Sequence, residues 1–152
     1  MNIVAADPDG RVLSEPEVLA LLGEPIIMRL GMVDAKGWPL VHPIWHVFED
    51  GVFRLVIGKT SRKADLLRAS RRAYFTVDTG TAAGDARGVR GRADVRVIDD
   101  NVDLAVDITR KALLKYTGTD SDAHAEDMLR WVRDGGASVI ELAPSQFRAF
   151  AY

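Results

Sequence analysis

The sequence predicts a mainly β, α+β fold: a meander of antiparallel strands with helices set between them. Three observations carry the prediction. Short runs rich in Val and Ile recur between turn-forming Gly and Asp residues, as in IIMRLGMV, PLVHPIWHVF and VFRLVIG. GVRGRADVRVI alternates apolar and charged side chains, the mark of a half-buried antiparallel strand. Stretches of helical periodicity with capping residues interrupt the strands. A small barrel or an α+β sheet fits that pattern.

The 152 residues suit one compact domain, and 47% hydrophobic with 28% charged residues is the profile of a soluble globular chain. A net charge of -2 does not make the whole surface a nucleic-acid footprint. With no cysteine there is no disulfide, thiol nucleophile or thiolate metal site, which fits a reducing compartment. MNIVAADPDGRV lacks a basic segment followed by an apolar run, and no apolar run approaches a bilayer span. The expectation is a cytoplasmic protein with no membrane and no nucleic-acid partner.

Residues 1–13 are polar and punctuated by Gly and Pro, and are expected to form a flexible arm ahead of a single domain over 14–152. Ser14 is a plausible N-cap for a short helix with Glu15, Pro16 and Glu17 in its first turn, stopped by Gly23 and Pro25. IIMRLGMV reads as a strand, DAKG as a hairpin loop and PLVHPIWHVF as one returning strand. After the turn EDG, VFRLVIG is the third strand; a helix over 61–70 follows, then AYFTVD as a fourth strand. TGTAAGDARG reads as a flexible loop. In GVRGRADVRVI, Val89, Gly91, Ala93, Val95 and Val97 share one face, and Gly91 marks a bend or a close approach. A helix over 99–116 has Asp99, Asp100 and Asp103 near its start and Arg110, Lys111 and Lys115 near its end, as the helix dipole favours. AHAEDMLRWVRDGG is a short helix stopped by Gly135 and Gly136, and ASVIELAP and QFRAFAY are closing strands.

The helix at 61–70 breaks the dipole rule that the later helix obeys. Ser61 suits its N-cap, but Arg62 and Lys63 then occupy the positive end, with Lys59 just before it. Each cation there costs about 0.3–1 kcal/mol at an exposed site. An anion would resolve the conflict, because helix N-terminal amides bind phosphate and the cations would be its counter-charges. The competing reading is a solvated basic face that also takes in Arg68, Arg71 and Arg72.

The ordered set GMVDAKGWPLVHPIWHVFEDG, GVFRLVIGKT, SRKADLLRASRRAYFTVD and VRGRADV resembles the FMN-binding split-barrel family of pyridoxamine 5′-phosphate oxidases, from about Arg29 to Ile98. The resemblance implies a six-stranded antiparallel split β-barrel with flanking helices. It also implies a homodimer with two flavin sites at the subunit interface. Ser61, Arg62 and Lys63, with Lys59, would hold the flavin phosphate. His42, Pro43, Ile44 and Trp45 on the second strand would border the ring, with Val56 and Ile57 on the third. Three departures stand out. The oxidase's Arg and Lys on the second strand are His42 and Val47 here, its Tyr-Thr is Val56-Ile57, and its C-terminal substrate segment has no counterpart in ELAPSQFRAFAY. The resemblance therefore does not extend to pyridoxamine phosphate oxidation. It implies a flavin-dependent oxidoreductase acting on a small organic substrate, with FMN as cofactor. The alternatives are a deazaflavin-dependent reductase of the same fold, or a non-enzymatic carrier of a flavin or haem.

On a continuous strand His42 and His46 share a face about 13 Å apart, too far for one metal ion, and His124 stands alone in a polar loop, so no metal site is expected. Trp45 is an aromatic wall beside a planar ring or ordinary packing, Trp38 is partly exposed or at an interface, and Trp131 belongs to the core. Ser61 has no Asp/His pairing that would make it a nucleophile, and no catalytic acid–base pair can be picked out. That agrees with chemistry supplied by a cofactor.

Overall fold

The computed structural model describes residues 1–81 and 84–152. In chain order the elements are β1 (Ile3–Ala5), α1 (Glu15–Gly23), β2 (Met28–Val33), β3 (Pro39–Ile44), β4 (Val47–Glu49), β5 (Val52–Gly58), α2 (Arg62–Ser70), β6 (Arg72–Thr79), β7 (Arg87–Ile98), α3 (Val102–Thr117), α4 (Ala123–Arg133), β8 (Ala137–Pro144) and β9 (Phe147–Ala151). The loop expected from Thr79 to Gly88 falls partly on residues 82 and 83, which lie outside the described residues.

The strands form one curled sheet in the order β3-β2-β6-β7-β8-β5-β4, with β9 added on β7 and β1 on β9. Its long strands β2, β3, β5, β6, β7 and β8 are the six of the expected split barrel, and the short strands β1, β4 and β9 extend it. β7 is the spine. One edge pairs with β6 from Arg72↔Asp94 to Thr79↔Arg87, and the other is shared by β9 and then β8. Its alternation holds: Val89, Gly91, Ala93 and Val95 are buried, while Arg92, Asp94 and Arg96 are exposed. Gly91 is the expected close approach, since a Cβ there would stand 2.4 Å from the Gln146 carbonyl oxygen.

The returning strand expected over 39–48 is two strands. β3 pairs with β2 as far as Met28↔Ile44, and β4 pairs with β5 from Val47↔Arg54. β2 and β5 lie far apart in the sheet order, so the chain cannot bond to both and must leave the ladder where it crosses. It does so at Trp45 and His46, and this is where the barrel splits.

Phe53, Phe75 and Phe147 fill the barrel with Leu30, Leu55 and Leu142, and ring centroids of Phe53 and Phe75 lie 4.8 Å apart. α1 closes the core through Val18, Leu21 and Leu22, which join the same cluster. Its start is capped by Glu17, whose carboxylate accepts the Ser14 N–H at 2.8 Å. The segment read as an arm is paired rather than free: β1 runs parallel to β9 from Ile3↔Phe147 to Ala5↔Ala149, and Leu13 is buried. The open edge of β9 supplies the backbone groups that tie it down.

α3 and α4 pack together over the outside of β5 and β8. Ala105 and Val132 meet Ala137 and Val139, and Leu113 meets Ala125 and Leu129. Asn101 and Asp122 cap them, accepting the N–H of Leu104 at 3.0 Å and of Ala125 at 2.8 Å. α3 thus starts three residues later than expected, and Asp99 and Asp100 lie ahead of it. His124, expected in a loop, is exposed on the first turn of α4. No helix among the described residues is long and apolar enough to cross a membrane.

Candidate functional site

β5 ends at Gly58 and α2 begins at Arg62, with Ser61 as the N-cap. Ser61 Oγ accepts the Ala64 N–H at 3.3 Å, and the first intrahelical bond runs from Asp65 N–H to the Ser61 carbonyl. The amides of Arg62 and Lys63 precede that bond and so lack an intrahelical acceptor. The three cations have separate surroundings. Lys59 turns away: its ammonium donates to the Asp99 carbonyl at 2.9 Å and to Asp100 at 3.0 Å, tying β5 to the start of α3. Arg62 reaches Asp34 at 3.3 Å, and its side chain is otherwise largely exposed. Asp34 is oriented by the β2–β3 hairpin, because its Oδ1 accepts the N–H groups of Lys36 and Trp38. Lys63 Nζ lies 3.0 Å from His42 Nε2 on β3. Burial first, and then the Lys63 charge, push the His42 imidazole below its ordinary value, so it is neutral and accepts from the ammonium.

Behind this turn, Asp99 anchors α2. Arg68 grips it with two of its three guanidinium nitrogens, Nη2 at 2.7 Å and Nε at 3.2 Å, and Ser138 Oγ donates at 2.6 Å. These bonds, the guanidinium first, hold the Asp99 carboxyl down at about 2. Arg68 also donates to the Lys59 carbonyl at 2.8 Å, so it is a strut of the turn rather than a free surface cation.

A cavity of about 350 Å³ opens where the barrel splits. The strand side supplies Pro43, Ile44, Trp45 and Val56; α3 supplies Ile108, Thr109 and Ala112, and α4 supplies Met128 and Trp131. The lining is apolar except for Arg54 and Thr109. Arg54 donates to Glu141 at 2.8 Å and Glu49 at 2.7 Å, and Thr109 Oγ1 donates to the Ala105 carbonyl at 2.7 Å. Four of the residues expected to border a ring, Pro43, Ile44, Trp45 and Val56, therefore meet at one cavity. Ile57 does not line it: successive side chains on a strand point oppositely, and with Val56 outward Ile57 enters the barrel core. His42, Ser61, Arg62 and Lys63 stand apart from the cavity lining, at the α2 turn.

Trp131 joins the two regions. It is 42% exposed rather than core as expected, because it lies on the outer wall of the cavity. A Cβ on Gly58 would stand 3.6 Å from Ser61 Cβ and 4.0 Å from Trp131 Cζ2, so the indole reaches the strand end that leads into the α2 turn. Gly136 is its seat, since a Cβ there would lie 2.2 Å from Trp131 Nε1.

Trp45 is held from behind. Its ring stacks on Tyr116 with centroids 5.0 Å apart and planes 2° from parallel. Tyr116 OH donates to the Ile26 carbonyl at 2.8 Å, and His46 Nδ1 lies 3.0 Å from that oxygen. With the phenolic proton committed to Ile26, Nδ1 must be the donor and Nε2 the acceptor. Lys115 Nζ, 3.1 Å from Nε2, also donates to the carbonyls of Leu22 at 2.7 Å and His46 at 3.2 Å. All three ammonium protons are thereby placed. Burial, with a smaller push from Lys115, takes His46 down to about 3, and burial takes Lys115 to about 8 and Tyr116 up to about 12. The expectation that His42 and His46 share a face is corrected: the ladder breaks between them, and His46 turns fully inside.

Sequence reasoning missed Asp34, Tyr116 and the α3–α4 wall. Asp34 had a signal, as an Asp opening a hairpin loop next to Lys and Gly. The wall had none, because helical periodicity says which side of α4 is apolar but not what it covers.

The architecture is shared with solved proteins at low sequence identity. A conserved hypothetical protein from Mycobacterium tuberculosis superposes with a TM-score of 0.81 at 19% identity, covering 95% of this chain and 88% of that one. An F420 reductase gives 0.64 at 20% identity over 84% and 93% of the two chains. The haem storage protein HutZ from Vibrio cholerae gives 0.68 at 16% over 90% and 93%. No curated protein matches the sequence significantly. The family model of pyridoxamine 5′-phosphate oxidase matches residues 14–151, nearly the whole barrel with its helices, and the chain belongs to that family.

Proposed function

We propose that this protein is a flavin-binding oxidoreductase, with FMN as the cofactor and a small organic molecule as substrate. The observation that carries the reading is the continuity, through Trp131 and Gly58, between an apolar cavity and the cationic start of α2. The residues fit the cofactor in two parts. A cavity of about 350 Å³ is at the low end of ligand sites, suited to a ring system rather than a whole nucleotide. The phosphate would rest outside it, on the first amides of α2 with Arg62 and Lys63 as counter-charges. Lys59 is committed to Asp99 and Asp100, so its part is to hold the turn.

When bound, the flavin supplies hydride or electron transfer. The chain's own residues bind and orient. Ile44, Trp45 and Val56 exclude water from one side of the ring, and Tyr116 keeps Trp45 parallel to itself. His42 stays neutral beside Lys63, which leaves the ammonium charge available to an anion. The exposed apolar residues Val33 and Val41 on the outer face of β2 and β3, with Trp38 in the loop between them, form the surface for a second copy, giving a homodimer.

A deazaflavin coenzyme is the second reading. Exposed Arg71 and Arg72 beyond α2, and the exposure of Arg62, leave basic surface for a longer anionic tail, and a neighbour of the same fold is an F420 reductase. Haem, as in the neighbour HutZ, is less favoured: His46 has both ring nitrogens engaged and His42 is bonded to Lys63.

The purified protein is expected to be yellow and to release FMN on denaturation. Arg62→Glu with Lys63→Glu abolishes FMN binding while the fold, read by circular dichroism, is kept. A colourless protein that takes up deazaflavin but not FMN selects the second reading. Unchanged FMN affinity in the double variant overturns the assignment of the phosphate site.

A further inference from the structure

The outer face of the sheet holds a second concentration of positive charge. β7 changes partner along one edge: it pairs with β9 from Arg87↔Ala151 to Arg90↔Arg148, and with β8 from Ala93↔Pro144 onward. Between these registers the corner at Ser145 and Gln146 crosses β7 at Gly91, and the 2.4 Å from a Cβ at Gly91 to the Gln146 carbonyl shows how closely it passes. A hollow of about 410 Å³ remains at the corner, lined by Arg90, Arg92 and Arg148 with Tyr74, Ser145 and Gln146.

The charges in this hollow run against the rest of the sheet. Arg90 and Arg148 are direct cross-strand partners, and Arg92 lies two residues further along the same face of β7. Like charges directly opposite are destabilising. The other charged cross-strand pairs among the described residues have opposite signs: Arg72↔Asp94, Arg54↔Glu141 and Arg96↔Glu141. Little neutralises the cluster from within. Asp7 approaches Arg90 at 3.6 Å, and among the described residues no carboxylate lies within ion-pair distance of Arg92 or Arg148. Asp94, next on the same face of β7, stands opposite Arg72 instead.

We propose that this hollow is an anion-binding site for the phosphate or carboxylate group of a small molecule. It shares no residue with the α2 turn or the split cavity and does not rest on the flavin reading. Guanidinium groups grip such oxyanions through paired N–H donors, which an ammonium cannot do. Three of them face one hollow, and the Ser145 hydroxyl and Gln146 amide add neutral donors. The ring of Tyr74 gives the ligand an apolar flank.

The test is calorimetric titration with orthophosphate, and separately with citrate, in the Arg62→Glu, Lys63→Glu protein, which removes the α2 turn as a competing site. Saturable binding of one anion per chain is expected. Adding Arg92→Ala and Arg148→Ala should weaken it at least tenfold, whereas Arg71→Ala should leave it unchanged. Tighter binding of orthophosphate than citrate assigns the site to phosphates, and the reverse order to carboxylates. Arg148→Gln separates ligand binding from structure: at low ionic strength without phosphate its thermal midpoint should equal or exceed the parent's, because a like-charge pair is relieved. Absence of saturable binding, affinity unchanged by Arg92→Ala with Arg148→Ala, or a lowered midpoint in Arg148→Gln would overturn the proposal.

Discussion

Replacing Gly136 by Ala isolates the seat of Trp131. Gly135 carries the left-handed backbone, with φ of 81°, while Gly136 is not among the positive-φ residues, so its conformation admits an Ala. The obstacle is contact alone. The new methyl carbon would meet Trp131 Nε1 at 2.2 Å, Cδ1 at 2.6 Å and Cε2 at 2.7 Å. Ordinary contact begins at 3.4 Å, so the indole must retreat by about 1.2 Å (3.4 − 2.2) or swing off the wall. Overpacking of this kind costs about 1–3 kcal/mol. Removing a glycine from the unfolded chain returns about 0.4–1 kcal/mol. The net expectation is a loss of about 0–2.5 kcal/mol, together with weaker FMN binding and an altered Trp emission. The decisive assay is a urea-denaturation cycle with Trp131→Ala. With the indole gone, Gly136→Ala should become neutral or stabilising by about 0.4–1 kcal/mol. A coupling of about 1 kcal/mol or more is expected for residues in such contact. Equal effects of Gly136→Ala with and without Trp131 would refute the account of the seat. Loss of FMN binding without that coupling would show that Gly136 acts on the site by another route.

Other consequences follow from the network behind Trp45. Tyr116→Phe leaves the Ile26 carbonyl and His46 Nδ1–H without their partner, and should cost about 1–3 kcal/mol in chemical denaturation; no loss would mean that these bonds contribute nothing net. His46 binds a proton more weakly folded, at about 3, than its ordinary 6.5. The unfolded state therefore takes up more protons between those values, and stability present above pH 6.5 is lost as pH falls toward 3. His46→Leu should flatten the upper part of that profile, from pH 6.5 to about 4, above the range where Asp99 at about 2 contributes. Lys115 at about 8 against 10.5 has the same sign on the alkaline side, so stability should rise from pH 8 toward 10, and Lys115→Met should remove the rise. For the surface assigned to a second copy, Val41→Asp should convert a dimer to monomers in light scattering with the circular dichroism unchanged; a monomeric parent would reject that assignment.

Local pattern alone settled much of this molecule. The alternation in GVRGRADVRVI placed Val89, Gly91, Ala93 and Val95 inward, because side chains on a strand switch faces at each step. Ser61 was readable as an N-cap, because the capping bond spans only three residues, to Ala64. The misplaced charges at Arg62 and Lys63 were visible for the same reason: a helix dipole acts within the first turn. What tertiary structure alone decided are the relations between distant segments. Nothing between Pro39 and Phe48 announces that the chain changes partner at Trp45, since the break is imposed by where β2 and β5 lie in the sheet. Lys59 and Arg68 looked like members of one basic face until the turn before α3 brought Asp99 and Asp100 against them. Trp131 carried the apolar spacing of a core residue, yet its exposure depends on what lies beneath it, and that is Gly136 and an open cavity. Periodicity reports the side of an element that avoids water; only the packed chain determines what that side meets.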